Sequence, residues 1–135
     1  MIVYLLNILL VDDDTDTLRL IQKYFEKKGA HVNAYSDPLL ALKDFKKNKN
    51  HSDSHYDLII SDIRMPKMNG IELASIIRKM DQNIPILFMT ASSIADLDKS
   101  LKILNIEDVV TKPIKLKDLL EKINTVKQKI IVKHP

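Results

Sequence analysis

Acidic side chains follow two apolar runs in this chain. Side chains placed in this way could bind a cation, or one of the carboxylates could act as a nucleophile. Asp12 and Asp13 come directly after the run that ends at Val11, and Asp62 comes shortly after the run at 58–60. Runs of this kind suit strands that are buried on both faces of a parallel sheet. Because open α/β sheets bind ligands at the carboxyl ends of their strands, we expect the three carboxylates to lie close together.

Two further polar residues follow later apolar runs in the same way. Thr90 closes the run at 86–89, and Lys112 comes after the run at 108–111. Taken singly, Thr90 would be an ordinary strand-end hydroxyl, Lys112 a surface lysine, and the acids a turn or a helix start, where negative charge suits the helix dipole. Together, at four strand ends on one edge of a sheet, they favour a functional site.

Three neighbouring carboxylates repel one another, and ionising all of them would raise at least one pKa unless positive charge intervenes. A divalent cation would supply that charge. Carboxylate oxygens with no His or Cys nearby in sequence favour Mg²⁺, which keeps several waters and accepts a phosphoryl oxygen as a further ligand.

The rest of the pattern predicts the elements that hold these side chains. Apolar runs predict five strands, at residues 7–11, 31–35, 58–60, 86–89 and 108–111. A helix is expected after each strand, with Thr15 or Asp16 capping the first and Ile94, Leu97, Leu101 and Leu104 on the fourth. Residues 46–55 are expected to form a polar surface loop. This alternation predicts a doubly wound α/β fold with a five-stranded parallel sheet, in the flavodoxin-like order 2-1-3-4-5.

Residues 62–70 read D-I-R-M-P-K-M-N-G, which resembles the D-x-x-[MI]-P-x-[ML]-[ND]-G setting of the phosphorylated aspartate in response-regulator receiver domains. The acids in I-L-L-V-D-D-D, the threonine in I-L-F-M-T-A and the lysine in V-V-T-K-P-I stand in that family's order. The resemblance covers about residues 7–126 and implies a single (βα)5 receiver domain over 1–135. Residues 127–135 would be a basic tail or the start of a linker.

The resemblance implies a role for each of these side chains in a two-component phosphorelay. Asp62 would accept a phosphoryl group from a phosphohistidine on a sensor histidine kinase or phosphotransfer protein, with Thr90 and Lys112 neutralising phosphoryl oxygens. The Lys112–Pro113 peptide is expected to be cis. Mg²⁺ would be held by Asp13, Asp62 and the backbone carbonyl of Arg64, and by Asp12 through a water molecule.

Three residues bear on the phosphate lifetime and on the output. Arg64 and Ser92 lie two residues beyond Asp62 and Thr90, so they flank the path of an attacking water. Arg64 offers no acceptor to orient that water, which predicts slow self-dephosphorylation. Receivers usually place Tyr or Phe where this chain has Val109, which is stiff and has no ring to rotate. The structural response to phosphorylation is therefore expected at the face made by the fourth helix, fifth strand and last helix. If a homodimer forms, it is expected to use the same face.

Composition limits the remaining classes of protein. With 135 residues and no cysteine, the chain fits one domain and cannot form a disulfide or a thiolate metal site. Its apolar opening is shorter than a membrane span, and its basic end lacks interleaved aromatic residues or Arg for stacking on bases. We expect a cytoplasmic protein that binds neither membrane nor nucleic acid directly.

Other functions on such a fold need residues that this chain lacks. An aspartate phosphatase needs a second acid two residues after its nucleophile, and Arg64 stands there. A nucleotide or flavin carrier would need a glycine-rich loop, and the chain has only Gly29 and Gly70. The open alternative is a pseudo-receiver that acts without phosphorylation. We expect a phosphoacceptor that catalyses only its own phosphorylation and dephosphorylation, not an enzyme acting on other substrates.

Overall fold

A five-stranded parallel sheet forms the middle of the domain in the computed structural model, which describes residues 6–49, 55–91 and 97–133. Its order is β2-β1-β3-β4-β5. The strands are β1 (Asn7–Val11), β2 (His31–Tyr35), β3 (Leu58–Asp62), β4 (Ile86–Thr90) and β5 (Asp108–Thr111). The helices are α1 (Thr15–Lys27), α2 (Pro38–Lys49), α3 (Gly70–Met80), α4 (Asp98–Ile103) and α5 (Leu116–Lys133). The predicted doubly wound fold and strand order are confirmed.

The sheet separates two apolar layers because neighbouring side chains of a strand point to opposite faces. Ile8 and Leu10 of β1 belong to the layer that includes the buried side chains of α1 and α5. Leu9 and Val11 belong to the other layer, with the buried side chains of α2 and α3. Burying each such side chain contributes about 1.5–3 kcal/mol, so the two layers fix the sheet and thereby the positions of the strand ends.

Strand register brings the predicted site residues to one edge. Val11 pairs with Ser61, so the next residue of each strand segment, Asp12 and Asp62, lies at the same level. Asp62 pairs with Met89, so Thr90 and its partner Thr111 lie one residue beyond the level of Asp62, and Lys112 follows Thr111.

The start of α1 differs from the prediction. Its N-cap is Asp14, whose carboxylate accepts hydrogen bonds from the backbone N–H groups of Asp16 and Thr17, so the expected cap at Thr15 or Asp16 is wrong. The physical reason is the preceding acid: Asp12 Oδ1 accepts the N–H of Asp14 at 2.9 Å, which holds Asp14 extended ahead of the helix.

Three other boundaries differ from the sequence pattern. Helix α2 continues to Lys49, so the loop expected at 46–55 begins later, and 50–54 lie outside the described residues. Helix α4 is short, with Leu104 buried just after it, while Ile94 lies outside the described residues. Helix α5 extends past residue 126 to Lys133. In the described part of the chain, no helix has the length and apolar character needed to cross a membrane.

Candidate functional site

The acidic residues predicted at the ends of β1 and β3 meet in the structure. Asp12 and Asp62 are buried and Asp13 is exposed. One carboxylate oxygen from each of the three lies within 4.8 Å of the others. The cluster therefore opens to solvent on the side of Asp13, and its inner wall is formed by two buried acids.

Lys112 connects the two buried acids. Its Nζ lies 3.1 Å from Asp12 Oδ2 and 3.0 Å from Asp62 Oδ2, so one ammonium donates to both carboxylates. Its backbone N–H donates to the carbonyl of Thr90 at 2.7 Å, and the peptide bond to Pro113 is cis. The lysine from β5 thus completes a site whose acids come from β1 and β3.

Burial and charge compete at this site. Burial raises the pKa of Asp12 above its ordinary value, and the Asp62 carboxylate adds to that rise, while the Asp14 N–H and Lys112 oppose it. Burial also disfavours the charge on Lys112, but its hydrogen bonds to Asp62 and Asp12 outweigh that penalty and raise its pKa. Lys112 is therefore positively charged at neutral pH.

Thr90, the last residue of β4, is buried beside β3. The two strands stay paired to their ends, since Asp62 pairs with Met89 and the N–H of Ile63 donates to the Met89 carbonyl at 3.1 Å. Val109 is half-buried against the layer that holds α2 and α3, and Arg64 is exposed. Ser92 lies outside the described residues.

The loop that follows Asp62, at 63–69, folds back onto the end of β3. Gly70 donates its N–H to the Ile63 carbonyl at 2.7 Å. A Cβ on Gly70 would lie only 2.3 Å from the backbone oxygen of Asp62, so this position has no room for a side chain. The backbone of α3 thus packs directly against the residue that ends β3.

Asn69 fixes the start of α3 through a capping box. Its side chain accepts the N–H of Glu72 at 2.8 Å, and Glu72 Oε1 accepts the N–H of Asn69 at 3.2 Å. Asn69 and Gly70 entered the sequence prediction as part of the receiver motif at 62–70, not as a helix start. An Asn followed three residues later by Glu is a recognised helix-start signal that would have found this box.

The donor set agrees with a hard divalent cation. The cluster offers only carboxylate oxygens, and it contains neither histidine nor cysteine. Asp13 is exposed, so a cation beside it would stay in contact with water, while Lys112 already neutralises part of the charge of the two buried acids. The residues present therefore fit Mg²⁺, which prefers few protein oxygens and retains water.

A parallel five-stranded sheet with acids and a lysine at its carboxyl edge defines the receiver class of the flavodoxin-like fold. The sequence model described as "Response regulator receiver domain" matches residues 8–124. The chain belongs to this family.

Individual relatives agree with that assignment. The transcriptional regulatory protein RprY of Bacteroides fragilis is 34% identical over 126 residues, which are 93% of this chain and 50% of that protein. The chain therefore spans half the length of this curated relative.

Solved structures show the same fold. A response regulator receiver domain protein from Clostridium thermocellum has a TM-score of 0.82 at 26% identity, covering 94% of this chain and 99% of its own. The response regulator TrrA from Thermotoga maritima, solved in complex with Mg²⁺ and BeF, has a TM-score of 0.77 at 30% identity, covering 90% and 99%.

Proposed function

We propose that this receiver domain of a two-component response regulator accepts a phosphoryl group on Asp62 from the phosphohistidine of a histidine kinase or phosphotransfer protein. The observation that carries the proposal is the convergence of three acids from two strands, two of them buried and joined by one lysine. A folded core does not need this arrangement, since buried ion pairs can often be replaced by apolar residues without loss of stability.

Asp62 is the nucleophile in this proposal. One of its carboxylate oxygens forms the new bond to phosphorus, while the phosphorus–nitrogen bond of the donor breaks and its electron pair stays on the imidazole nitrogen. Lys112, 3.0 Å from Asp62 Oδ2, orients the carboxylate before transfer. The same ammonium then lies beside the negative charge that the phosphoryl group brings.

Thr90 belongs to the same proposal as a hydroxyl donor to that group. It is buried in the strand next to β3, and its backbone carbonyl holds the N–H of Lys112. A shift of Thr90 towards the phosphoryl group would therefore also move the end of β4 and the backbone of Lys112.

The cation would be held by the carboxylates of Asp12, Asp13 and Asp62 and by the backbone carbonyl of Arg64. Bound Mg²⁺ supplies positive charge that neutralises the phosphoryl oxygens during transfer. The relative from Thermotoga maritima, solved with Mg²⁺ and BeF, supports this part of the proposal.

The output would be carried by the face of α4, β5 and α5, through which a homodimer would also form. We expect the response to be confined to residues 90–104 and to be small, about 1–2 kcal/mol between states. The far end of α4 has a structural reason to stay fixed. Arg78 of α3 donates Nε to the Leu104 carbonyl at 2.7 Å and Nη2 to the Asn105 carbonyl at 3.2 Å.

The second candidate function is a pseudo-receiver that works without phosphorylation, which Val109 favours because it removes the usual aromatic switch residue. Incubation with acetyl phosphate and Mg²⁺ followed by intact mass spectrometry separates the candidates. A labile adduct of one phosphate supports the proposal, and an unchanged mass supports the pseudo-receiver. Continuous release of phosphate would instead indicate a phosphatase. Loss of the adduct that is faster in the folded protein than in the urea-unfolded protein would establish self-dephosphorylation.

A further inference from the structure

The loop after Asp62 contains a strained residue that sequence reasoning did not single out. Lys67 has a φ of 70°, in the left-handed region that non-glycine residues seldom adopt. The N–H of Met68 donates to the Pro66 carbonyl at 2.8 Å, which closes a three-residue γ-turn around Lys67. Strain of this kind persists only where the surrounding structure holds it, and it clusters at functional sites.

A side chain from another connection holds this residue. Lys67 Nζ lies 2.9 Å from Oδ2 of Asp37, the residue just before α2. The other oxygen of Asp37, Oδ1, accepts the N–H of Leu39 at 2.9 Å, so the carboxylate is fixed at a helix start. The Lys67 ammonium and the Leu39 N–H also hold the pKa of Asp37 below its ordinary value. The strained turn is therefore tied to a rigid part of the fold.

The strand end just before Asp37 contacts the acidic cluster directly. The carbonyl of Tyr35, two residues before Asp37, accepts the N–H of Asp12 at 3.1 Å. The last residue of β2 thus contacts the backbone of one buried acid, and Asp37, two residues later, contacts a side chain of the loop that follows the other. Backbone hydrogen bonds from Ile63 and Gly70 already fix the two ends of that loop. The γ-turn in its middle is instead held by the ion pair with Asp37.

We infer that Asp37 is a positioning residue for the cation site, because its bond to Lys67 holds the γ-turn and thereby the loop backbone beside Asp62. This inference rests on the proposed function, since it concerns how tightly Mg²⁺ binds. Neither Asp37 nor Lys67 touches the reacting groups in this account. They would act by holding the loop that contains Arg64, whose carbonyl the proposed function assigns to the cation.

Two single variants and their combination test the inference. Asp37→Asn keeps an acceptor for the Leu39 N–H, since Asn caps helices as well as Asp does, but it removes the charge that Lys67 binds. Lys67→Gln removes the other partner. Mg²⁺ affinity is measured in the metal-free proteins by titrating amide chemical shifts, and the exchange rate of the Met68 amide is measured without Mg²⁺.

The sign of the Lys67→Gln effect is decisive. Removing a positive charge near a cation site would by itself strengthen Mg²⁺ binding. If the pair positions the loop, Lys67→Gln instead weakens binding about two- to five-fold, as Asp37→Asn does, in line with an exposed ion pair. The Met68 amide exchanges faster in both variants. The double variant is no weaker than either single one, because the two side chains act through the same bond.

Glu107 and Lys129 provide a matched control. Their ion pair is 2.8 Å long, and the lysine is 55% exposed, against 59% for Lys67. It lies at the opposite end of the sheet, where Glu107 precedes β5. Glu107→Gln and Lys129→Gln should leave Mg²⁺ affinity and Met68 exchange unchanged.

The inference is overturned if Lys67→Gln binds Mg²⁺ as tightly as the wild type or more tightly, or if the two single effects add in the double variant. Wild-type protein that does not respond to Mg²⁺ overturns the proposed function together with this inference. The positioning role alone is overturned if the wild type binds Mg²⁺ and takes up phosphate, and the variants match it in Mg²⁺ affinity and in Met68 exchange.

Discussion

The two ends of the sheet carry ion pairs of opposite character. At the carboxyl end, Lys112 is only 21% exposed and lies against two buried acids. At the amino end, Lys129 is 55% exposed and pairs with one partly exposed acid, Glu107. Exposed pairs contribute about 0–1 kcal/mol, whereas burying charges costs several kcal/mol that mutual attraction does not always offset. A small gain in stability is enough to explain the amino-end pair, whereas the proposed phosphorylation of Asp62 would explain why charges are buried at the other end.

The chain's two glycines provide the largest expected contrast between these ends. Gly70→Ala would place a methyl group 2.3 Å from the Asp62 carbonyl, so backbone at the site must move. We expect overpacking to cost about 1–3 kcal/mol of unfolding free energy, and displacement of Asp62 to slow phosphorylation roughly a hundred-fold. Urea unfolding and the rate of adduct formation with acetyl phosphate measure the two effects.

Gly29→Ala is the control for that change. Gly29 follows α1 at the amino end and has a φ of 98°, which alanine adopts only with strain. We expect a loss of about 1 kcal/mol in stability with phosphorylation unchanged in the folded protein. Equal phosphorylation rates for Gly70→Ala and the wild type would contradict the close packing of α3 against the site.

The two lysines give the next largest contrast. Lys112→Met leaves two buried acids without their positive partner, and we expect it to lower the unfolding free energy by about 2 kcal/mol at neutral pH. Lys129→Met should cost less than about 1 kcal/mol. Urea unfolding with a chelator present, to keep Mg²⁺ from replacing the lost charge, compares them. Similar losses of unfolding free energy in both variants would mean that the ion pairs at the two ends of the sheet do not differ in their contribution to stability.

Asp13→Ala separates function from stability within the site. Asp13 is exposed, so its removal should change stability by no more than about 0.5 kcal/mol. Loss of a cation ligand should nevertheless weaken Mg²⁺ binding by roughly ten-fold or more, and transfer should fall with it. Asp118→Ala, an exposed acid in the first turn of α5, is the control. An Mg²⁺ titration of Asp13→Ala that matches the wild type would remove Asp13 from the site.

The smallest expected effect concerns the lifetime of the phosphate. Arg64 is exposed in the loop after Asp62 and has no acceptor to orient a water. Arg64→Asn supplies one, so we expect faster loss of the adduct while phosphorylation and stability stay the same. Decay is followed by intact mass after removal of acetyl phosphate. The same decay rate in both proteins would show that residue 64 does not control the attacking water.

The strand ends could be predicted from sequence because buried strands leave a local signal. Apolar runs placed Asp12, Asp62, Thr90 and Lys112 at the carboxyl edge, and the strand register agrees. The cap of α1 could not be chosen among consecutive polar residues, because Asp14 becomes the cap through a side-chain bond to Asp12. That bond has no separate pattern in the sequence.

Contacts between residues far apart in the chain could not be predicted from the sequence either. Asp37 and Lys67 are thirty positions apart, and nothing in either neighbourhood indicates that they meet. The exclusion of a side chain at Gly70 depends on the position of Asp62 in the folded chain. The length of α2 was underestimated because its last turn is polar and basic, and such a turn reads as a loop although cations suit a helix C-terminus.

Identification of the phosphorylated acid tests the central claim most directly. After reaction with acetyl phosphate and Mg²⁺, borohydride reduces an aspartyl phosphate to homoserine, and peptide mass spectrometry locates the reduced residue. We expect homoserine at Asp62 alone, and no adduct in Asp62→Asn, whose amide keeps the shape of the side chain but is a poor nucleophile. Homoserine at Asp12 or Asp13 in the wild type, or a phosphate adduct on folded Asp62→Asn, would contradict the account.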